Sequence, residues 1–208
     1  FGEESILEYT LIRENIKVKD VSYSGMIDNE IGYIKLNRFS KNSANEVKSS
    51  INKLINNNMS GLIFDLRDNP GGLLNNAIEI LDMFTDQGEL LVYTKGKSNR
   101  STRSYKSQRK PIVPGDLKII ILINKGSASA SEIISGVFQD LDRGIVVGRP
   151  SFGKGLVQTV YNINRNSSVK ITTAKYYLPS GRLIQKSGYL PKEILLDSLE
   201  NDTLFNTS

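Results

Sequence analysis

Lys118-Ile119-Ile120-Ile121-Leu122-Ile123 runs directly into Asn124-Lys125-Gly126-Ser127-Ala128-Ser129-Ala130-Ser131-Glu132. The first stretch is the most hydrophobic run in the chain. An unbroken series of branched aliphatic residues from Ile119 reads as a central strand. The second stretch is small and polar. Beyond it Ile133, Ile134, Val137, Phe138 and Leu141 recur at helical spacing and share one face. Strand, small-residue turn and helix in that order form the repeating unit of an α/β domain.

The same grammar repeats upstream. Leu62-Ile63-Phe64-Asp65-Leu66 predicts a buried strand, Arg67-Asp68-Asn69-Pro70-Gly71-Gly72 a turn, and Leu74 to Phe84 a helix with Leu74, Ala77, Ile78, Leu81 and Phe84 on one face. Ile31 to Leu36 reads as a strand. Ser43-Ala44-Asn45-Glu46 has the form of a capping box, followed by Val47, Ile51, Leu54 and Ile55 at helical spacing and a stop in Asn56-Asn57-Asn58. Tyr9 to Val21 predicts one or two entry strands, Glu89 to Tyr93 and Ile145 to Val147 further strands. Leu156 to Ile163 and Val169 to Tyr177 predict an antiparallel pair across the polar turn Asn164 to Ser167. The fold class that results is α/β, a mixed sheet with a parallel central section flanked by helices.

Composition bounds the rest. A chain of 208 residues, 38% hydrophobic and 24% charged, suits one large globular domain. A net charge of +5 does not by itself call for nucleic acid. The run Lys95 to Lys110 holds seven basic residues and no acidic one. It reads first as a solvated loop and second as a lid over substrate, since Tyr105 is its one side chain able to stack on a base. No apolar run approaches the roughly 18 residues of a membrane span. No signal peptide is visible, and the opening at Phe1 without an initiator Met reads as a fragment or a processed product.

The chain has neither His nor Cys. A Ser-His-Asp triad and a thiolate nucleophile are therefore excluded, and a zinc site is disfavoured. If the chain is a hydrolase, a serine activated by a neutral lysine is the economical arrangement left. Ser129 sits where the strand gives way to the helix, near free N–H groups and the positive end of the helix dipole. Ala128 and Ala130 leave room for a carbonyl, although serines at 127, 129 and 131 equally suit a helix cap. Lys154 lies between Gly153 and Gly155 and shares parity with Leu156 and Gln158. Gln158 can hold the amine without adding negative charge, and a surface lysine in a glycine turn is the alternative. The Pro70-Gly71-Gly72 turn can present N–H groups to an oxyanion or serve only as a tight connection. A Walker Gly-Lys-Ser/Thr is absent.

The segments Asp65 to Gly72, Gly126 to Glu132 and Phe152-Gly153-Lys154-Gly155-Leu156-Val157-Gln158 together resemble the three signature stretches of the C-terminal processing peptidases, or tail-specific serine proteases. Weaker matches are Gly32-Tyr33-Ile34, Gln139-Asp140 and Thr172 to Arg182. The resemblance runs in order from about residue 10 to 186. It implies a ClpP/crotonase-like protease core, with Ser129 as nucleophile, Lys154 as general base and Gln158 orienting the lysine. It implies an oxyanion hole of backbone amides from Ala130 and from Gly71 or Gly72, Gly71 being preferred. No cofactor is implied.

The implied activity is endopeptidase cleavage near protein C-termini through an acyl-enzyme, on protein or peptide substrates, in a bacterial cell envelope. The chain departs from the family pattern twice. At most the last strand of the family's PDZ domain remains, in Phe1 to Tyr9, and the tail after Ser187 differs. The expected division is 1–12 as a PDZ-side strand or linker, 13–190 as protease core and 191–208 as a tail. Delivery of substrate by an adaptor or by a PDZ domain of the full-length protein is expected. A catalytically silent peptide-binding or scaffold module, and a crotonase-like acyl-CoA enzyme, are the competing readings.

Overall fold

Leu62, Phe64, Ile119, Ile121 and Ile123 are all buried, while their neighbours Ile63 and Ile120 are less so. This alternation shows which face of the central strands meets the core. The computed structural model describes residues 8–14, 18–97 and 102–186. Its elements are β1 (Val21–Met26), β2 (Ile31–Leu36), α1 (Ser43–Asn56), β3 (Gly61–Asp65), α2 (Leu74–Leu81), β4 (Leu90–Gly96), β5 (Arg103–Lys106), β6 (Lys118–Ile123), α3 (Ala130–Asp140), β7 (Ile145–Gly148), β8 (Leu156–Asn164) and β9 (Ser167–Tyr177).

One sheet has the order β1-β2-β3-β6-β7. Strands β2, β3, β6 and β7 are parallel, and β1 is antiparallel to β2. Helices intervene between β2 and β3 and between β6 and β7, as parallel pairing requires. Apolar residues of all three helices enter one core with the inward strand residues, where Phe84 stacks on Phe64 at 6.3 Å and meets Phe138 edge-on at 5.1 Å. Each such ring contributes about 2–3 kcal/mol by burial. The second sheet, β5-β4-β9-β8, is antiparallel throughout. Leu91 and Val92 of β4 and Leu178 just after β9 join the core, whereas the far half of the β8–β9 hairpin exposes Val160, Tyr161, Ile163 and Ile171. The mixed α/β sheet with its parallel centre is as the sequence predicts.

Four local expectations differ. No strand forms before Val21 among the described residues, since Tyr9, Leu11 and Ile12 lie exposed with no partner strand. Helix α2 ends at Leu81, and Asp82 to Phe84 continue as turns. Ser43 does not cap α1. Asn42 is the flanking residue, and the Glu46 carboxylate instead accepts the N–H groups of Asp20 and Val21, both at 2.9 Å. The basic run is not simply a loop: it supplies the end of β4 and all of β5, an edge strand where Lys and Arg are well tolerated. Residues 98–101 of that run, and the predicted tail 191–208, lie outside the described residues.

Candidate active site

Strands β3 and β6 lie side by side and in register, so the turns that follow them leave the sheet together. Residues 66–72 and 124–131 are then laced to each other. Ser127 Oγ donates to Leu66 O at 2.8 Å, Ser131 Oγ to Asn69 O at 2.9 Å, and Ala128 N to the same carbonyl at 3.0 Å. Asp68 N donates to Asn124 Oδ1, and Asn124 Nδ2 donates back to Asp68 Oδ1, both at 2.9 Å. Asn69 is fully buried. Its Nδ2 donates to Leu36 O and its Oδ1 accepts Gly71 N–H, again at 2.9 Å. Satisfied buried polar groups of this kind fix a turn far more firmly than solvated ones.

Asp65 anchors the foot of the first turn. Burial would raise its carboxyl, but hydrogen bonds from Arg67 and Tyr33 and the charge of Lys35 outweigh it and hold the pKa at about 2, below the ordinary 3.8. Tyr33 Oη donates to Asp65 at 2.5 Å, Arg67 Nη2 at 2.7 Å, and Lys35 Nζ lies 3.2 Å away.

Ser129 flanks the start of α3 with φ 56° and ψ −111°. Three other described non-glycine residues have positive φ: Asn58, Asp68 and Asp142. Asn and Asp visit that region readily, whereas serine does so only under constraint. The constraint is visible. Gly71, at φ 91°, passes so close that a Cβ there would lie 2.5 Å from Ala128 O and 2.9 Å from both Ala130 N and Ser129 Cβ. Only glycine allows this approach. The side chain of Ser129 faces the backbone N–H of Glu132, and the Glu132 carboxylate faces the backbone N–H of Ser129, the reciprocal arrangement of a capping box.

The structure therefore brings Ser129, Ala130 and Gly71 together. The N–H of Ala130 finds no acceptor among the described residues, and neither does that of Gly72. The N–H of Gly71, preferred from the sequence as an oxyanion donor, is taken by Asn69 Oδ1.

Lys154 comes from the connection between β7 and β8. Phe152 N donates to Ser127 O at 2.9 Å, which brings this connection to the serine turn. The side chain of Lys154 is exposed. Its amine makes no hydrogen bond with Ser129 or Gln158, because a long solvated side chain has nothing here to hold its tip; such bonds commonly tighten only with substrate in place. Gln158 is also exposed, on β8, and a register irregularity falls between Val157 and Gln158.

Sequence reasoning gave no role to Glu132. It is fully buried, accepts four hydrogen bonds, and its carboxylate reaches back to Ser129 N–H at 2.6 Å. Burial pushes this carboxyl up, against the opposing pull of Ser151 and of the N–H groups of Lys154, Ser129 and Gly153. The available signal was Ser129-x-x-Glu132, a capping-box tetrad identical in form to Ser43-x-x-Glu46. At the other end of α3, Asp140 is paired with Arg182 and accepts Ser180 N–H at 2.9 Å, which accounts structurally for the Gln139-Asp140 match.

Residues 30–194 match the description Peptidase family S41. The chain is 39% identical over 199 residues to the carboxy-terminal-processing protease of Bartonella bacilliformis, an alignment covering 92% of this chain and 44% of that protein. It is 39% identical over 166 residues to the carboxyl-terminal-processing protease of a Picosynechococcus species, covering 80% of this chain and 39% of that protein. Among solved structures it superposes on the photosystem II D1 C-terminal processing protease with a TM-score of 0.73 at 29% identity, over 85% of this chain and 48% of that one. The chain spans less than half the length of these relatives.

Proposed function

Because the chain belongs to peptidase family S41, we propose that it is the core of a serine endopeptidase working through Ser129 and Lys154. The observation that carries this reading is the strained backbone of Ser129, φ 56° at a helix start, beside an unengaged amide and a glycine turn. Strain of this kind costs roughly 1–3 kcal/mol and persists where surrounding structure enforces it, typically at working sites.

The chemistry follows from these positions. Lys154 Nζ, neutral, takes the proton from Ser129 Oγ as that oxygen attacks a peptide carbonyl carbon. The carbonyl π pair moves to oxygen. The N–H of Ala130 and one from the Pro-Gly-Gly turn receive the oxyanion, and Gly72 is the residue of that turn whose N–H is unengaged. Collapse breaks the C–N bond, and the lysine ammonium returns its proton to the departing amine. Water then attacks the acyl-Ser129 ester with Lys154 again as base, releasing the carboxylic acid. Gln158 serves to steady the amine while substrate displaces water around it.

Proteins or peptides cut near their C-termini are the substrates we assign, in line with what the two bacterial relatives are named for. We assign residues 13–190 to the protease core, 1–12 to the link with a PDZ domain and 191–208 to a tail. Delivery by that domain or an adaptor, and residence in the bacterial cell envelope, are part of the same proposal. Cell fractionation tests the last.

A fluorophosphonate tests the chemistry. We expect a single adduct on Ser129, absent in Ser129→Ala and slowed by orders of magnitude in Lys154→Ala. A wild-type chain that binds peptides but never acquires the adduct would instead be a silent binding module.

A further inference from the structure

Four donors converge on one buried carboxylate. Glu132 Oε2 accepts the N–H of Ser129 at 2.6 Å and the N–H of Lys154 at 2.8 Å. Oε1 accepts Ser151 Oγ at 2.6 Å and the N–H of Gly153 at 2.5 Å. A single oxygen atom thus spans the backbones of the two residues assigned to the chemistry. Glu132 is fully buried and has no ion pair among the described residues. Four short hydrogen bonds take the place of a counter-charge.

We propose that Glu132 is a positioning residue that sets the separation and orientation of Ser129 and Lys154; the proposal rests on the Ser/Lys reading above. Ser129 is fixed by the core, through α3 and the turn that holds Asn69. Lys154 belongs to a connection with exposed side chains at 152 and 154. The Phe152–Ser127 backbone bond and three hydrogen bonds to Glu132, from Ser151 Oγ and from the N–H groups of Gly153 and Lys154, tie this connection to the serine turn. The residue sits three positions after Ser129, so helical geometry returns its carboxyl over the first turn, between the two backbones. A backbone displacement near 1 Å at a reacting pair is enough to lower turnover by about 100-fold.

The test replaces one acceptor oxygen by a donor. In Glu132→Gln, either amide orientation leaves two N–H or O–H groups facing an NH2. With the full chain folded, shown by circular dichroism, kcat and the fluorophosphonate labelling rate should both fall by about 100-fold, with KM unchanged within about threefold. The amides of Gly153 and Lys154 should exchange faster with solvent, while those of β6 should not. Labelling within about threefold of wild type would overturn the proposal.

If Glu132→Gln does not fold, Ser151→Ala decides. It removes one of the four donors, and kcat should fall by about fivefold at constant KM and be recovered by Ser151→Thr. Unchanged kcat in Ser151→Ala, beside an unfolded Glu132→Gln, would make the carboxylate a staple of the fold alone and overturn the proposal. Lys154→Ala separates the two levels. If it is dead while Glu132→Gln is normal, only the positioning role fails. If Lys154→Ala labels as fast as wild type, the Ser/Lys reading fails and takes this inference with it.

Discussion

Around Ser129 the flanking residues Ser127, Ala128 and Ala130 are all buried, whereas around buried Gly153 both Phe152 and Lys154 are exposed. The serine is placed by the core: two adjacent parallel strands, a laced pair of turns and a helix fix its Cα. The lysine has a fixed backbone but a side chain in water. The contrast teaches a division of labour. The backbones of the proposed nucleophile, Ser129, and of the proposed oxyanion donors are positioned by the folded chain itself. In the proposed mechanism the Lys154 amine is ordered only as a substrate strips water from around it.

The contrast can be broken most severely at the lysine tip. Lys154→Arg keeps the positive charge but cannot give up a proton, so turnover should fall by roughly 1,000-fold or more while peptide binding persists. Near-normal turnover in that variant would show that Lys154 is an electrostatic cation and remove the base from the mechanism. Next comes the buried side. Gly71→Ala would push a methyl into Ala128 O and force alanine into φ 91°. Stability should fall by about 1–3 kcal/mol, read from urea midpoints, and labelling of Ser129 by about 100-fold as the elbow shifts.

Gln158→Ala sharpens the comparison on the exposed side. We expect kcat to fall by about tenfold with a melting temperature like wild type, because the residue is exposed and its proposed role is to steady the amine. A drop in stability without a drop in kcat would give Gln158 a place in the fold rather than in the site.

The smallest effect is one of acidity, at the foot of the serine turn. The Asp65 carboxyl is held at about 2 in the folded chain, below its ordinary 3.8. Its ionised form is therefore favoured by folding. That contribution is complete above about pH 4 and is lost as the pH falls from there toward 2. The shift corresponds to about 1–2 kcal/mol once the partial exposure of Arg67 and Lys35 is allowed for. Urea midpoints at pH 5 and pH 2.5 should converge for wild type and Asp65→Asn. A constant gap between them across that range would remove Asp65 as the titrating anchor.

The fold's centre was legible because its signals are local. β2, β3, β6 and β7 are apolar runs bounded by turn residues, and α3 announces itself by spacing. What the sequence hid depends on competition between partners. Ser43-x-x-Glu46 and Ser129-x-x-Glu132 share one pattern, yet Glu46 is drawn away by the amides of Asp20 and Val21, while Glu132 turns back to Ser129. No local rule distinguishes them, because the rival donors lie 25 or more residues off in one case and about 20 in the other. Strand β5 was hidden for a similar reason: its basic residues become a strand only by pairing with β4. Nothing local in the sequence shows that the side chain of Asn69 takes the amide of Gly71.

The φ of 56° at Ser129 has a consequence for mutational history as well as for chemistry. Glycine is at ease in that conformation; alanine is not. The two simplest inactivating substitutions should therefore part company in a melting experiment. Ser129→Ala should melt close to wild type, and Ser129→Gly should melt above it, against the usual cost of introducing glycine. A chain released from selection for activity would find, at position 129, one of its few single-residue routes to greater stability.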